Sequence, residues 1–318
     1  MLEVYGPFPL ITSLMDVNDS GEVLKKERTP YDEIVNYLDN EFMELSKILP
    51  SSYDNVNIGR PTSGACLALR ARMLMFAASP LFNGNEDFKD VVNKDGTPLF
   101  SQSKDNKKWE KAVAAKLVID LPEYDLYKEY LEDGSIDALM SCTNLYLTTT
   151  EQNPEIIMAF PGKTSSLYEY HLMPRKSGFA GCISATQNIV DAFFMKNGLS
   201  IDELGSGYVE EGFSTEDTYY PTKYTYGSAD KKEGLVTPKG TYNMYVNREP
   251  RFYANIRFHG KYCSFDDDKR QHNFLNGGQD GKPSHDSPIA GYQINKAIHP
   301  ATRSGSYPYK PGIIVRLG

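Results

Sequence analysis

Tryptophan is almost missing from this chain: one residue in 318, against 22 tyrosines and 15 phenylalanines. Cysteine is scarce as well. Cys66, Cys142, Cys182 and Cys263 lie far apart with no C-x-x-C pair, so neither a zinc cluster nor a disulfide framework is indicated; buried thiols suit this residue type, with one long-range disulfide left open. The five histidines, His171, His259, His272, His285 and His299, form no i,i+3 or i,i+4 pair and no H-E-x-x-H, so no metal signature appears. Basic residues are outnumbered, 34 against 42 acidic, for a formal net charge of -8. A nucleic-acid phosphate track needs clustered Lys and Arg, so nucleic acid is set aside as a partner. No run approaches the roughly 20 apolar residues that span a bilayer, and the most apolar segment, Cys66 to Ala78, carries Arg70 and Arg72. The opening "MLEVYGPFPLITSL" lacks the regions of a signal peptide, which leaves export neither shown nor excluded. Hydrolase-elbow, phosphate-loop and dinucleotide motifs are absent too, and no cofactor is expected.

What is present begins with helices. Thr29-Pro30 reads as an N-cap and first helical position, with Asp32 and Glu33 in the first turn. Ile34, Leu38, Phe42, Leu45 and Leu49 then recur at helical spacing, which predicts a helix of about 19 residues ending at Pro50. In "GRPTSGACLALRARMLMFAASPLFNG", Gly59 to Gly84, Thr62 or Ser63 can cap a second helix, whose Ala65, Ala68, Leu69, Arg72, Met73, Phe76 and Ala77 share a face and whose small residues admit a close neighbour. "KKWEKAVAAKLVIDL" predicts a third helix over 107–121, after a long polar loop. The helices form hairpins, without a regular repeat near 34 residues. After about Asn153, "PEIIMAF" suits a buried strand and "TQNIVDAFFMKNG" a short helix closed by Gly198. From Gly205 to Tyr309 the chain reads mostly as loop, with short strands at "YNMYV", "FYANIRF" and "GYQINKAI".

Few residues invite chemistry. Cys66 lies near a helix N-terminus that would lower a thiol pKa, but no histidine precedes His171 and its alanine-rich flank reads as packing. Asp266, Asp267 and Asp268 offer oxygen ligands yet lack EF-hand spacing, and a solvated charge run is the other reading. The distinctive pattern is aromatics interleaved with hydrogen-bonding side chains: Tyr208, Phe213, Tyr219, Tyr220, Tyr224 and Tyr226, then Tyr262, Phe265, His272 and Phe274. Aromatic faces stack on the C–H faces of sugar rings while polar neighbours bond the hydroxyl rim; the alternative is tyrosine anchoring long loops to the core.

"GRPTSGACLALRARMLMFAASPLFNG" resembles the second-hairpin signature of the SusD/RagB family of outer-membrane nutrient-binding lipoproteins. "YDEIVNYLDNEFMELSKILP" looks like the preceding family helix and "KKWEKAVAAKLVIDLPEYDLY" like the succeeding one. "NPEIIMAF", "TQNIVDAFFMKNGLSIDELGSGY", "NREPRFYANIRFHG" and "GYQINKAI" follow in the family's order, so the resemblance runs from about Thr29 to Leu317.

The resemblance implies a mainly α fold: a tetratricopeptide-like helical-hairpin core over 1–160 and a large loop-rich ligand-binding lobe with short strands over 161–318, together one SusD-like domain. It implies a non-catalytic protein of the outer-membrane cell surface that captures oligosaccharide for a SusC-like TonB-dependent transporter. Peptide capture, as in RagB, is the alternative; a carbohydrate hydrolase and a protein-binding helical scaffold are rivals from other classes. The family's lipidated cysteine and first helices do not precede Met1, and "GIIVRLG" stops where relatives continue into a helix, so a domain incomplete at both ends is expected, touching the membrane only through an anchor outside this chain. Tyr262 follows the turn where relatives often expose an aromatic. Phe265, Asp266, Lys269, His272 and Asn273 share its loop, and Tyr219, Tyr220 and Tyr224 form a second candidate patch. Arg248, Pro250 and Arg251 lie inside a family-wide motif that fixes backbone.

Overall fold

The computed structural model describes residues 2–16, 18, 21, 25–53, 57–113, 116–162, 166–224, 233–263, 270–281 and 286–318. Two compact units emerge, one of Met1–Leu126, Pro154–Phe160 and Ile313–Gly318, the other of Tyr127–Asn153 and Pro161–Gly312. They interleave in sequence: strand Ile156–Phe160 of the first unit pairs with strand Gly312–Arg316, whose residues from Ile313 on belong to the same unit. A buried Glu155 carboxylate accepts from Arg316 beside that pairing.

The first unit is organised by helices Tyr31–Ile48 and Ser63–Ala78. Thr29 does not cap the first of them: its hydroxyl accepts from Leu10 N–H at 3.2 Å, while Pro30 sits at the cap and Tyr31 N–H donates to Leu99 O at 2.9 Å. Ile34 and Val35 are buried, Leu38 and Phe42 half so, and Leu45 and Ile48 are exposed, so the apolar stripe is covered over the first three turns. The second helix is capped by Thr62, whose side chain accepts from Ala65 N–H at 3.1 Å. It is buried on several sides instead of one: Ala65 and Leu67 pack with Val118 and Ile157, while Met73, Leu74 and Ala77 pack with Tyr31, Ile34 and Phe82. A helix covered on more than one side needs apolar residues beyond a single stripe, and only Arg70 and Arg72 interrupt them here. Gly64 is fixed by that crowding, since a Cβ there would lie 2.4 Å from the Tyr124 ring. Cys66 is buried and burial pushes its thiol pKa up, which opposes a nucleophilic role; none of the four cysteines is disulfide-linked. The stretch 107–121 contains helical segments Lys107–Ala112 and Lys116–Ile119.

Among its described residues the second unit has little regular structure. Its helices are Ala138–Asn144, Ser166–Leu172, Gln187–Asp191 and Pro250–Asn255, and its two-stranded sheets pair Thr218–Tyr219 with Leu235–Thr237 and Ile256–Arg257 with Gln293–Ile294, both antiparallel. "YNMYV" is a 3-10 turn over Asn243–Tyr245, not a strand, with Tyr245 N–H donating to Tyr242 O at 3.1 Å and Val246 N–H to Asn243 O at 2.9 Å. "FYANIRF" begins as helix because Pro250 pre-sets its first turn, and becomes strand only at Ile256.

Three buried cations take over where hydrogen-bonded ladders are missing. The Arg248 guanidinium donates to Val190 O at 2.6 Å, Phe193 O at 2.8 Å and Met244 O at 3.1 Å, and lies 5.0 Å from the Phe252 ring centre. Arg257 donates to Leu172 O at 2.8 Å, and the Lys261 ammonium to Tyr253 O and to Ile256 O at 2.9 Å. Each therefore closes the C-terminal end of a short helix, where carbonyls lack partners and the dipole favours positive charge. Burial lowers the pKa of both Arg248 and Lys261.

Candidate functional site

Residues 213–219 of the second unit, with Asn243, Val246 and Asn247, line a cleft of about 440 Å³. Its floor follows from local geometry. Gly212 adopts φ +86°, and Asn243 spans the turn, donating from Nδ2 to Glu211 O at 2.8 Å and from its backbone to Gly212 O at 3.0 Å. A Cβ on Gly212 would meet that Nδ2 at 3.0 Å. Phe213 then bridges Tyr242 antiparallel, with the two rings edge to face at 5.6 Å. Ser214 N–H donates to Thr241 O at 2.8 Å and Ser214 O accepts from Gly240 N–H at 2.9 Å, which ties the two segments side by side.

Two aromatic rings remain outward in this frame. Phe213 is 66% exposed and Tyr219 45%. Tyr219 is steadied by donating its hydroxyl to Asp217 Oδ2 at 3.1 Å, while Asp217 Oδ1 accepts Lys239 N–H at 2.7 Å. Glu216, Thr215, Thr218, Asn243 and Asn247 complete the polar lining. Asn247 holds a left-handed φ of 55° with its carbonyl bonded to Lys196 N–H at 2.7 Å. Exposed rings beside amide, hydroxyl and carboxylate groups can stack on a pyranose face and bond its rim.

The candidates from sequence fall in several places. Tyr219 lines this cleft. Tyr220 does not: its ring is buried, lies 4.7 Å from the Lys196 ammonium and donates its hydroxyl to Arg248 O. Tyr224 is half-buried against the hydrophobic cluster around Tyr245 and Phe252. Tyr262 is half-buried on the same cluster and bridges Gln271 antiparallel. Phe265, Asp266 and Lys269 lie outside the described residues, as do Asp267 and Asp268. His272 is enclosed, 2% exposed, stacked on Phe274 at 5.5 Å, with Nδ1 3.8 Å from Asp280; burial lowers its pKa to about 4. It is a core residue because Asp280 and Arg270 are folded inward with it, Arg270 pairing with Asp280 at 2.6 Å. Asn273 is half-buried and its N–H donates to Asp280 at 3.0 Å. Burial alone would raise the Asp280 pKa, but His272, Arg270 and the Asn273 N–H outweigh it and bring it to about 2. Asn243 and Asn247 carried no signal in sequence; they reach the cleft only through pairing of distant segments. Among the described residues no group of three or more His, Cys, Asp or Glu is arranged to hold a metal, and no helix is long and apolar enough to cross a membrane.

Comparison with known proteins agrees on a single family. Residues 150–318, just over half of the chain, match the model of the SusD family. The solved structure of BT4246 is 22% identical, with a TM-score of 0.74 over 99% of this chain and 58% of that one. A SusD-like protein, BF3747 of Bacteroides fragilis NCTC 9343, is 22% identical with a TM-score of 0.63, over 99% of this chain and 52% of the other. A SusD-like carbohydrate binding protein, BF0978 of the same strain, is 14% identical with a TM-score of 0.60, over 98% and 48%. The chain thus spans about half to three-fifths of the length of these structures. A search of curated proteins returns no match. The fold is SusD-like, and the chain belongs to the SusD family.

Proposed function

We propose that this protein binds oligosaccharide without transforming it, at the outer-membrane cell surface, and passes it to a SusC-like TonB-dependent transporter. Membership of the SusD family supports this reading, as does the likeness to a carbohydrate binding protein of Bacteroides fragilis. The observation that carries it is the pair of outward rings, Phe213 and Tyr219, set in one cleft with Asn243 and Asn247. An aromatic left two-thirds exposed in a walled cleft forgoes burial worth roughly 1.5–3 kcal/mol, which a stacked sugar would recover.

Isothermal titration against plant, mucin and microbial oligosaccharides tests the proposal, with Phe213→Ala and Tyr219→Ala alongside. Binding of at least one glycan, weakened roughly tenfold or more by each substitution, is the expected result. Absence of glycan binding together with tight peptide binding would move the protein to peptide capture. Turnover of the bound glycan, abolished by a single carboxylate substitution, would make it a hydrolase.

A further inference from the structure

The four cysteines are not equivalent. Cys66 and Cys263 are buried, Cys142 is half-buried against the cluster around Tyr245 and Phe252, and Cys182 alone is exposed. Its Sγ lies 3.1 Å from His171 Nδ1. The local backbone brings the two together. His171 stands in the last turn of helix Ser166–Leu172, and segment 180–183 runs back along that end, with Ala180 N–H donating to Tyr170 O at 3.0 Å and Ile183 N–H to His171 O at 3.1 Å. Between these two bonds Gly181 is pinned: its φ is +67°, its carbonyl accepts from the buried Gln293 Nε2 at 2.8 Å, and a Cβ would lie 2.7 Å from that nitrogen and 3.0 Å from Met173 O. With Gly181 held inside, Cys182 emerges beside the imidazole. The Tyr170 ring meets the His171 ring edge-on at 5.4 Å, and the helix's own carboxylate, Glu169, is engaged inward with Lys310 and Thr302.

With the imidazole proton on Nε2, Nδ1 accepts the Cys182 S–H and is placed to take that proton as the sulfur attacks an electrophile. We propose that Cys182 and His171 form a thiol–disulfide exchange site for small disulfides, independent of the oligosaccharide reading. Cys182 Sγ attacks one sulfur of R–S–S–R, the mixed disulfide Cys182–S–S–R forms as the original S–S bond breaks, and the proton taken up by His171 passes to the departing thiolate, which leaves as R–S–H. Cys182 is oxidised and the departing sulfur reduced. Two copies of the chain, each with a formal charge of -8, repel one another, which favours a small reagent over a Cys182–Cys182 dimer.

Dithiodipyridine, a small neutral disulfide, tests this, because each exchange releases thiopyridone and is counted by its absorbance. The folded chain should release one equivalent about tenfold or more faster than its other cysteines react, since the unassisted thiols are covered. Mass spectrometry should place the adduct on Cys182, and Cys182→Ser should remove the fast phase. His171→Asn keeps a hydrogen-bonding group that cannot take up a proton. It should slow the fast phase about tenfold at about pH 7, where an unassisted thiol is only a few per cent ionised, and less than about twofold at about pH 10, where a thiol ionises unaided. Equal slowing at both pH values would make His171 a packing residue and overturn the assignment, as would a Cys182 that reacts no faster than Cys142. A Cys182-linked dimer formed in place of the adduct would overturn the choice of small disulfides.

Discussion

The two units solve the same problem by different means. In the first, Tyr31–Ile48 and Ser63–Ala78 satisfy their own backbone and need only cover apolar side chains, which Ile34, Met73, Leu74, Phe82 and Phe100 do around the buried Tyr31 ring. In the second, helices of five to seven residues are too short to be stable by propensity, and the open carbonyl ends of Gln187–Asp191, Ser166–Leu172 and Pro250–Asn255 are turned onto Arg248, Arg257 and Lys261 inside the protein. Burying a cation is costly unless its donors are used, so the charge and the unpaired carbonyls stabilise each other. The lesson is that a loop-rich unit can have a rigid frame, and that this frame frees its outer loops to present Phe213 and Tyr219.

The comparison breaks most visibly at Arg248. Arg248→Met leaves three carbonyls without their donor and should destabilise the second unit by about 3–5 kcal/mol. Hydrogen exchange is expected to accelerate across 187–195 and 243–253 and to stay unchanged over 31–48. Leu74→Ala is the counterpart in the first unit, a cavity costing about 2–4 kcal/mol. The single tryptophan, Trp109, stands in that unit and should report the lowered unfolding midpoint by fluorescence.

Acid separates the units next. His272 and Asp280 both have folded pKa values below their ordinary ones, about 4 against 6.5 and about 2 against 3.8. The unfolded chain therefore binds more protons in each interval, so stability is full above pH 6.5, declines towards pH 4 through His272, and declines again below it through Asp280. His272→Phe should abolish the first interval and weaken the second, because His272 is one of the groups that lower the Asp280 pKa, as urea midpoints across pH would record. The smallest effect is expected at Thr62→Ala, which removes one cap bond in the first unit for about 1 kcal/mol. A urea titration followed at Trp109 would resolve it.

Legibility in sequence follows the same divide. Thr62, the Ile34 stripe and the alanines of Ser63–Ala78 announce their helix because their interactions span three or four residues. The strand at Ile156–Phe160 is visible as an apolar run and "GIIVRLG" resembles a family strand, but their pairing, across more than 150 residues, is not legible. In the second unit the motif around Arg248 and Pro250 marked a fixed backbone, without revealing that its guanidinium reaches back to Val190. Candidate site residues suffered most. Tyr219 and His272 look alike in sequence, each an aromatic among polar neighbours; one is exposed in a cleft, the other sealed with Asp280 and Arg270, and only tertiary folding separates them. Phe213 stood in the aromatic series but gained its place through pairing with Tyr242, 29 positions on.

The most direct test of the account is hydroxyl-radical footprinting of the protein with and without a bound oligosaccharide, read at every aromatic side chain. Phe213 and Tyr219 should lose reactivity together as the glycan is titrated, with half-protection at its Kd, while Tyr220 and Phe252 stay inert throughout. Protection that spares both Phe213 and Tyr219 and appears at other aromatics would contradict it.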